Sequence, residues 1–367
     1  MRVGVPKEIK VHEYRVGLTP ASVAELVAAG HEVTVETRAG LGIDFSDRDY
    51  QDAGAAIAAN AAEVFANSDM IVKVKEPQAS EIALLEPRHL LFTYLHLAPD
   101  PEQTLGLVKS GATCIAYETV TANDGSLPLL KPMSEVAGRM SIQVGAHYLE
   151  KEQGGRGVLL GGVPGVAPAR VMILGGGVSG VNAAQMAVGM RADVTIYDIS
   201  NARLAELDMF FGSQIKTAYA SKAAIAKAVK KAELVIGAVL IPGAAAPKLI
   251  TRDMLKTMKR GSVLVDISID QGGCFETSHA TTHSDPVYEI DGVIHYCVAN
   301  MPGAVARTSA FALNNATLPF VLKLANQGAE SAMKADQHLA NGLNVSGGKI
   351  RHSAVAEALG LSYEPAV

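Results

Sequence analysis

The chain has 367 residues, of which 49% are hydrophobic and 19% are charged, and its formal net charge is −5. This length suffices for two domains, each with its own hydrophobic core. The negative charge and the lack of a strongly basic arm argue against a nucleic-acid-binding surface.

Further features favour a soluble protein of the cytoplasm. The first residues, MRVGVP, leave no room for a signal peptide, and no apolar run approaches the ~20 residues that a membrane helix needs. Cys114, Cys274 and Cys297 have neither CxxC nor zinc-ligand spacing, so we expect reduced, buried thiols.

The first ~130 residues alternate strand and helix patterns, which predicts a parallel α/β sheet. Thr19 followed by Pro20 begins a helix that Gly30 ends, and the glycine-rich segment Ala39–Gly42 is predicted to be a loop. This region has no glycine fingerprint, which suits a substrate-binding or catalytic domain. Its predicted strands are Arg2–Val5, Val33–Glu36, Met70–Val74, Leu90–Tyr94 and Thr113–Tyr117.

A long helix, Ser134–Glu150, is predicted to lead into a second region, whose strongest signal lies at Arg170–Asp198. There a buried strand, a glycine turn, a helix and a second strand follow one another. Gly175, Gly177 and Gly180 have the G-x-G-x-x-G spacing of a dinucleotide-binding turn. In such a turn the first glycine allows the tight bend, the second lets the backbone approach the pyrophosphate, and the third lets the helix pack on its strand. The alternative is a structural turn without a ligand.

Asp198, at the end of the second strand, indicates which dinucleotide is bound. A carboxylate at this place accepts hydrogen bonds from the ribose hydroxyls and repels a 2′-phosphate. The alternative is that Asp198 only caps the next helix. In this context the residues predict a site for NAD rather than NADP.

Four more strands follow, which gives this region the six strands of two mononucleotide-binding halves: 216–219, 234–238, 262–267 and 293–298. The tail after Gly303 is predicted to be mostly helical, at Thr308–Leu324, Ser331–Leu339 and Ser353–Leu359. It is too short for a third domain, so we expect it to pack on the first.

The predicted fold class is therefore α/β, with two Rossmann-like, doubly wound parallel sheets. The NAD-binding domain, residues 131–302, would be inserted into a discontinuous catalytic domain formed by residues 1–130 and 303–367. The substrate cleft is expected between the two domains, because ligands of open α/β sheets collect beyond the carboxyl ends of the strands.

Reactive side chains follow several of the predicted strands: Arg15, Lys75, His96, Asp270 and Asn300. A guanidinium and an ammonium bind a carboxylate, and a histidine takes and gives protons near neutral pH. An aspartate nearby orients or deprotonates a water or an amine. These residue types predict hydride transfer on a small carboxylate substrate.

Each of these side chains also has a structural alternative. Arg15 lies in a charged loop where a solvated role is equally consistent with its neighbours, and Lys75 and Lys73 could lie at a solvated strand edge. His96 could be a core histidine with its hydrogen bonds satisfied.

The sequence resembles the alanine dehydrogenase family over essentially its full length, in the segments GVPKEIKVHEYRVGLTP, IVKVKEP, YLHLAPD, KPMSEVAGRMS, ILGGGVSG, IGAVLIPG, LVDISIDQGGCFETS and YCVANMPGAV. The resemblance implies reversible oxidative deamination of L-alanine to pyruvate and ammonia with NAD. It also implies two Rossmann-like domains and a homohexamer. The partners would be these small molecules, without nucleic acid or membrane.

The resemblance also assigns roles to individual positions. His96 resembles the catalytic histidine and Asp270 the acid that handles water or ammonia, while Arg15 and Lys75 look like the contacts to the substrate. Tyr94 and Met133 would line the substrate pocket. The cofactor contacts, from the resemblance and the glycine turn together, would be Ser134, Gly175, Gly177, Val178, Ser179, Gly180, Asp198, Arg203, Ser221, Val239, Leu240, Ile267, Asp270, Val298, Asn300 and Met301.

Some positions depart from the family pattern. Arg203 stands where a lysine is frequent, and Ala220 replaces a serine, with Ser221 beside it. His279 occupies a position that can carry arginine. Lys323 and Gln327 are poor metal ligands, so no metal site is predicted.

Two other functions fit parts of the pattern. The NAD-binding subunit of a proton-translocating transhydrogenase has the same two-domain layout, but it passes hydride to NADP and has no organic-acid pocket. An NAD-sensing module without catalysis would leave the reactive side chains unexplained. The joint presence of Arg15, Lys75, His96 and Asp270 favours the dehydrogenase.

Overall fold

The computed structural model describes residues 1–239 and 246–365. The chain forms two compact units: unit 1 comprises Met1–Met133 and Val305–Val367, and unit 2 comprises Ser134–Ala304. Each unit has an α/β fold with a mainly parallel sheet, which confirms the predicted fold class.

The first part of unit 1 alternates strands and helices. Its elements are β1 (Arg2–Val5), α1 (Pro20–Ala28), β2 (Glu32–Glu36), α2 (Asp47–Asp52), β3 (Ala56–Ala58), α3 (Ala61–Ala66), β4 (Met70–Val72), α4 (Ala79–Ile82), β5 (Leu90–Thr93), α5 (Pro101–Ser110) and β6 (Thr113–Ala116). Strands β4 and β5 are buried throughout, as short apolar strands of a sheet covered on both faces are. The segment predicted as a loop contains a 3-10 turn at Leu41–Ile43.

Unit 2 begins within the helix α6 (Lys131–Tyr148), whose first residues belong to unit 1. Its further elements are β7 (Arg170–Leu174), α7 (Val178–Gly189), β8 (Asp193–Asp198), α8 (Asn201–Phe211), β9 (Lys216–Tyr219), α9 (Lys222–Val229), β10 (Leu234–Gly237), α10 (Arg252–Leu255), β11 (Val263–Asp266), β12 (Val287–Ile290) and β13 (Val293–Tyr296). The strand order β12-β13-β11-β10-β7-β8-β9 contains the 3-2-1-4-5-6 arrangement of dinucleotide-binding sheets. All of its strands are parallel except β12.

The tail returns to unit 1 with the elements α11 (Ala306–Gln327), α12 (Ala329–Ala335), α13 (Gln337–Ala340), β14 (Leu343–Ser346), β15 (Lys349–Ile350) and α14 (Ser353–Leu359). The sheet of unit 1 has the order β15-β14-β6-β5-β4-β1-β2-β3, and β14 pairs antiparallel with β6. Within residues 1–239 and 246–365 we find no helix with the length and apolarity that a bilayer crossing requires.

Two hairpins correct the sequence predictions. The mostly helical tail also contains a hairpin, which β14 and β15 form around Gly347-Gly348. The second sheet has seven strands rather than six, because β12 pairs with β13 around Asp291-Gly292. All four turn residues have a positive φ. Gly-Gly and Asp-Gly are the residue pairs that such two-residue hairpin turns prefer, so the sequence did contain the signal.

Candidate active site

The glycine turn between β7 and α7 leaves open space at the start of the helix. Gly175 has a φ of +98°, and a Cβ on Gly180 would lie 1.9 Å from the Gly175 carbonyl oxygen, so both positions require glycine. A Cβ on Gly177, by contrast, would meet no atom within 4 Å. Gly177 is the N-cap of α7 and provides no side-chain cap. The turn therefore fits an anionic group, because backbone N–H groups at a helix N-terminus bind anions.

Asp198 holds this turn and the start of the next helix. Its Oδ2 accepts a hydrogen bond from the backbone N–H of Gly176 at 2.7 Å, and its Oδ1 accepts one from that of Ser200 at 2.8 Å. The cap of α8 is Ser200, whose hydroxyl oxygen accepts from the N–H of Arg203. Asp198 is therefore more than a helix cap. An ionised carboxylate has about four acceptor positions, so a half-buried Asp198 retains capacity for ribose hydroxyls.

Two side chains predicted to contact the cofactor, those of Arg203 and Ser221, form hydrogen bonds within the protein. The Nε of Arg203 donates to the carbonyl oxygen of Gly176 at 2.7 Å, and its Nη1 pairs with Glu206 at 2.6 Å. The exposed Ser221 caps α9, since its hydroxyl oxygen accepts from the N–H of Ala224. The Arg203 side chain thus supports the dinucleotide-type turn, whereas Ser221 stabilises the start of α9.

Other predicted positions surround the glycine turn: Ser134, Val178, Ser179 and Val239. Val178 and Ser179 form the first turn of α7, and a Cβ on Gly138 of α6 would lie 2.2 Å from the Ser179 carbonyl oxygen. Ser134 lies one turn before Gly138 on α6. A Cβ on Gly175 would lie 3.2 Å from the Val239 side chain. Leu240 lies outside the described residues.

Asp270 lies exposed on a 3-10 turn, Ile267–Gln271, just after β11. The segment beyond it is held by the buried Asp266, whose Oδ2 accepts from the N–H of Cys274 at 2.9 Å and from the hydroxyl of Ser278 at 2.5 Å. Burial raises the pKa of Asp266, although these hydrogen bonds oppose the shift. Sequence analysis missed Asp266, for which the acid ending the apolar run VLVD was the available signal.

Lys248 and Leu249 also hold this loop. The Nζ of Lys248 donates to the carbonyl oxygens of Gly272 and Gly273, the latter at 2.7 Å. The backbone N–H of Leu249 donates to the carbonyl oxygen of Cys274 at 2.7 Å. Sequence analysis also missed Lys248, because no local pattern pairs it with this loop.

The positions Val298, Asn300 and Met301 follow β13. Val298 and Met301 are buried, and Asn300 has a φ of +61°, a conformation that asparagine tolerates. Because β13 pairs parallel with β11, these residues follow the same edge of the sheet as the Asp270 turn.

In unit 1, Arg15 is buried, with 2% of its surface exposed, so the solvated alternative is wrong. Its Nε and Nη2 donate to the two carboxylate oxygens of Glu13 at 2.6 and 2.5 Å, and its Nη1 lies 3.0 Å from the Met133 sulfur. Burial disfavours the charge of the guanidinium, but the hydrogen bonds and the charge of Glu13 outweigh it and raise the pKa of Arg15.

Lys73 is fully buried, so a solvated strand edge, the alternative given for the two lysines, is wrong for this residue. Its Nζ lies 3.0 Å from Glu8 and 2.7 Å from Glu81. Burial is the largest single effect on the pKa of Lys73 and lowers it. The two carboxylates together outweigh burial, so the pKa is raised. Glu8 also accepts hydrogen bonds from the backbone N–H groups of Val74 and Lys75. The buried ion pairs therefore hold the segment from which the half-buried Lys75 extends.

His96 is exposed, so it is not a core histidine. Its ring stacks on that of Tyr94, with the ring centroids 5.9 Å apart, and the Tyr94 hydroxyl donates to the carbonyl oxygen of Leu129 at 2.5 Å. Burial raises the pKa of Tyr94 despite the nearby charge of Arg15. Tyr94 therefore stays protonated and links the environments of Arg15 and His96.

Unit 1 thus combines a buried guanidinium, a half-buried ammonium and an exposed imidazole, which suit a small carboxylate that exchanges protons. The strand order and the glycine turn of unit 2 define a Rossmann-type dinucleotide-binding protein.

Comparisons with known proteins identify the family within this class. Residues 4–137 match the family model described as "Alanine dehydrogenase/PNT, N-terminal domain", and residues 141–353 match "Alanine dehydrogenase/PNT, C-terminal domain". The chain belongs to the alanine dehydrogenase/PNT family.

Individual relatives agree with this assignment. A protein of Halomonas elongata named alanine dehydrogenase is 61% identical over 363 residues, which are 99% of this chain and 98% of the relative. A solved structure named L-alanine dehydrogenase is 54% identical with a TM-score of 0.95, covering 98% of this chain and 99% of that one. A transhydrogenase structure from Sinorhizobium meliloti is 26% identical with a TM-score of 0.83, covering 96% and 100%.

Proposed function

We propose that this chain is an NAD-dependent L-alanine dehydrogenase that reversibly converts L-alanine to pyruvate and ammonia. The observation that carries the proposal is the buried Arg15, whose Nη1 lies 3.0 Å from the Met133 sulfur, in a chain that also has a dinucleotide-type turn. A buried guanidinium is the group expected for anchoring the carboxylate of an organic acid. The similarity to proteins named alanine dehydrogenase identifies the acid.

In this proposal unit 2 holds the dinucleotide. The pyrophosphate would lie at the N-terminus of α7, beside Gly177, and Asp198 would accept hydrogen bonds from the adenosine ribose, which favours NAD over NADP. The other predicted contacts, Leu240 among them, remain predictions. When bound there, NAD would supply the acceptor for the hydride of the substrate α-carbon.

Unit 1 would bind the substrate. Arg15 and Lys75 neutralise the carboxylate, and the ring of Tyr94 and the side chain of Met133 line its surroundings. The anchored substrate must meet the dinucleotide during turnover, since hydride transfer needs reacting atoms about 3–3.5 Å apart.

His96 and Asp270 would handle the protons. The amine loses a proton as the hydride leaves the α-carbon, which gives an imine. Asp270 or His96 then takes a proton from the water that adds to the imine, and His96 moves protons as the carbinolamine collapses to pyruvate and ammonia. Loss of such a proton carrier costs about 10²- to 10⁴-fold in rate. Near-normal turnover of His96→Ala or Asp270→Ala would contradict these roles.

Absorbance at 340 nm tests the proposal directly. The purified protein should reduce NAD when L-alanine is added, and oxidise NADH with pyruvate plus ammonium. Hydride transfer only between NADH and an NADP analogue would instead indicate a transhydrogenase subunit. Binding of NADH without either reaction would indicate a binding module.

We also propose a homohexamer that works in the cytoplasm, as the family resemblance implies. We propose that it needs no metal ion, because Lys323 and Gln327 are poor metal ligands. The Nζ of Lys323 pairs with Asp336 at 2.6 Å, so a cation of the protein itself lies at a position where a metal ligand would be needed. Light scattering after gel filtration tests the oligomer, and activity in excess EDTA tests the metal independence.

A further inference from the structure

The turn that presents His96 is held by side chains from two other segments. His96 has a φ of +49°, in the left-handed region that residues other than glycine rarely adopt. The backbone N–H groups of Leu95 and His96 both donate to Glu118: that of His96 to Oε1 at 2.7 Å, and that of Leu95 to Oε1 at 3.1 Å and Oε2 at 3.2 Å. On the opposite side, Gln103 donates to the carbonyl oxygen of Leu95 at 2.7 Å.

The sheet explains why Glu118 reaches this turn. β5 and β6 are parallel neighbours in which Thr93 pairs with Ala116, so the residues that follow the two strands leave the same edge side by side. Glu118 lies on the 3-10 turn Tyr117–Thr119, two residues beyond β6, and Leu95 lies two residues beyond β5. The carboxylate therefore needs only to bridge adjacent loops.

This arrangement fixes the backbone of His96 rather than its ring. An unusual conformation persists only where its surroundings determine it, and here the carboxylate binds two consecutive N–H groups of the turn. Among the described residues, the exposed imidazole stacks on the ring of Tyr94. Its direction thus depends on the backbone from which the side chain starts.

We propose that Glu118 is a positioning residue that holds the left-handed turn at His96 and so aims the imidazole at the reacting substrate. The inference rests on the proposed function, in which His96 moves protons. Its chemical requirement is an acceptor at the position of Oε1, and the negative charge is not essential. A glutamine retains such an acceptor, whereas an alanine leaves both N–H groups without it.

The test compares Glu118→Ala with Glu118→Gln. Glu118→Ala should lower kcat about 10- to 100-fold, since misplacing a reacting group by about 1 Å costs about 10²-fold. The KM for L-alanine and the Kd for NADH should stay unchanged, because Arg15 and the glycine turn are untouched. Glu118→Gln should keep kcat within about threefold of the unmodified protein.

Two controls separate positioning from a general loss of structure. Thr119→Ala lies on the same 3-10 turn and removes a hydroxyl that bonds Asn344, and it should leave kcat within about threefold. In a His96→Ala background, Glu118→Ala should have no further effect on kcat, because the two residues act as one unit. If Glu118→Ala does not fold, Glu118→Asp replaces it in the test. The aspartate side chain is too short to make the same hydrogen bonds, so kcat must fall below that of the unmodified protein.

An unchanged kcat in Glu118→Ala would overturn the inference. A loss of kcat in Glu118→Gln as large as that in Glu118→Ala would also overturn it. So would a further loss of the same size when Glu118→Ala is added to His96→Ala. These results all presuppose an active parent enzyme. A parent that does not reduce NAD with L-alanine would instead refute the proposed function, and this inference with it.

Discussion

Replacing Gly177 with alanine tests the dinucleotide site without disturbing the fold. The added Cβ would meet no atom within 4 Å, and the φ of −71° at this residue suits alanine as well as glycine. The free energy of unfolding of the unliganded protein should stay unchanged or rise by about 0.4–1 kcal/mol, because alanine restricts the unfolded chain more than glycine does.

Binding of the dinucleotide should weaken strongly in the same variant. The methyl group would occupy the space through which a pyrophosphate approaches the N–H groups of α7. Loss of a single hydrogen bond to a charged group costs about 1.5–3 kcal/mol, which corresponds to a Kd about 10- to 100-fold higher. Fluorescence titration with NADH measures the Kd, and thermal unfolding without ligand measures the stability.

Gly180→Ala is the matched comparison within the same glycine turn. Its Cβ would lie 1.9 Å from the Gly175 carbonyl oxygen, so the helix must move away from the turn. NADH binding should therefore weaken, and the free energy of unfolding should fall by about 1–3 kcal/mol, the typical cost of overpacking. NADH binding by Gly177→Ala as tight as that of the unmodified protein would refute the placement of the pyrophosphate.

Three further outcomes are expected. Arg15→Lys should raise the KM for L-alanine about 10- to 100-fold in initial-rate assays, since the loss of a charge-assisted hydrogen bond costs about 1.5–3 kcal/mol. Lys73→Met should lower the free energy of unfolding in urea by about 3–5 kcal/mol, because it leaves two buried carboxylates, Glu8 and Glu81, without their cation. Burial lowers the pKa of His295 to about 4 in the folded protein. Between pH 6.5 and 4 the unfolded chain therefore binds a proton at this residue that the folded protein does not bind. Acidification through this range should lower the free energy of unfolding by about 3 kcal/mol.

Two of these outcomes have a control variant, and the third has a result that would contradict it. Lys256→Met removes an exposed ion pair with Asp253 and should change the stability by less than about 1 kcal/mol. His295→Gln should flatten the acid limb of the stability curve, and an unchanged slope would contradict the shifted pKa. A KM that does not respond to Arg15→Lys would remove the substrate anchor from the proposal.

The site illustrates how far local patterns reach. The glycine spacing predicts the turn before α7, and the structure shows why two of its three glycines are obligatory in the apoprotein. The residues after the strands were found because a strand end is a local feature. Their supports were not, because Glu118 and Lys248 act on loops 22 and 24 residues away along the chain. Such pairs follow from strand order and not from any pattern near either residue.

Burial is the second property that local patterns left undecided. Arg15 lies in a charged loop, where a solvated role was equally consistent with the sequence, and for Lys73 the alternative was a solvated strand edge. In the structure both are covered, and a buried cation requires carboxylate partners, which Glu13, Glu8 and Glu81 provide.

By itself, the sequence determined the alternation of strands and helices, the dinucleotide-type turn and the reactive residue types, because hydrophobic period and glycine spacing act over a few neighbouring residues. Only the tertiary structure decided which of those side chains are covered, which acids hold them, and how the tail adds two strands to the first sheet. These depend on which distant segments meet, and that is settled by the packing of the whole unit.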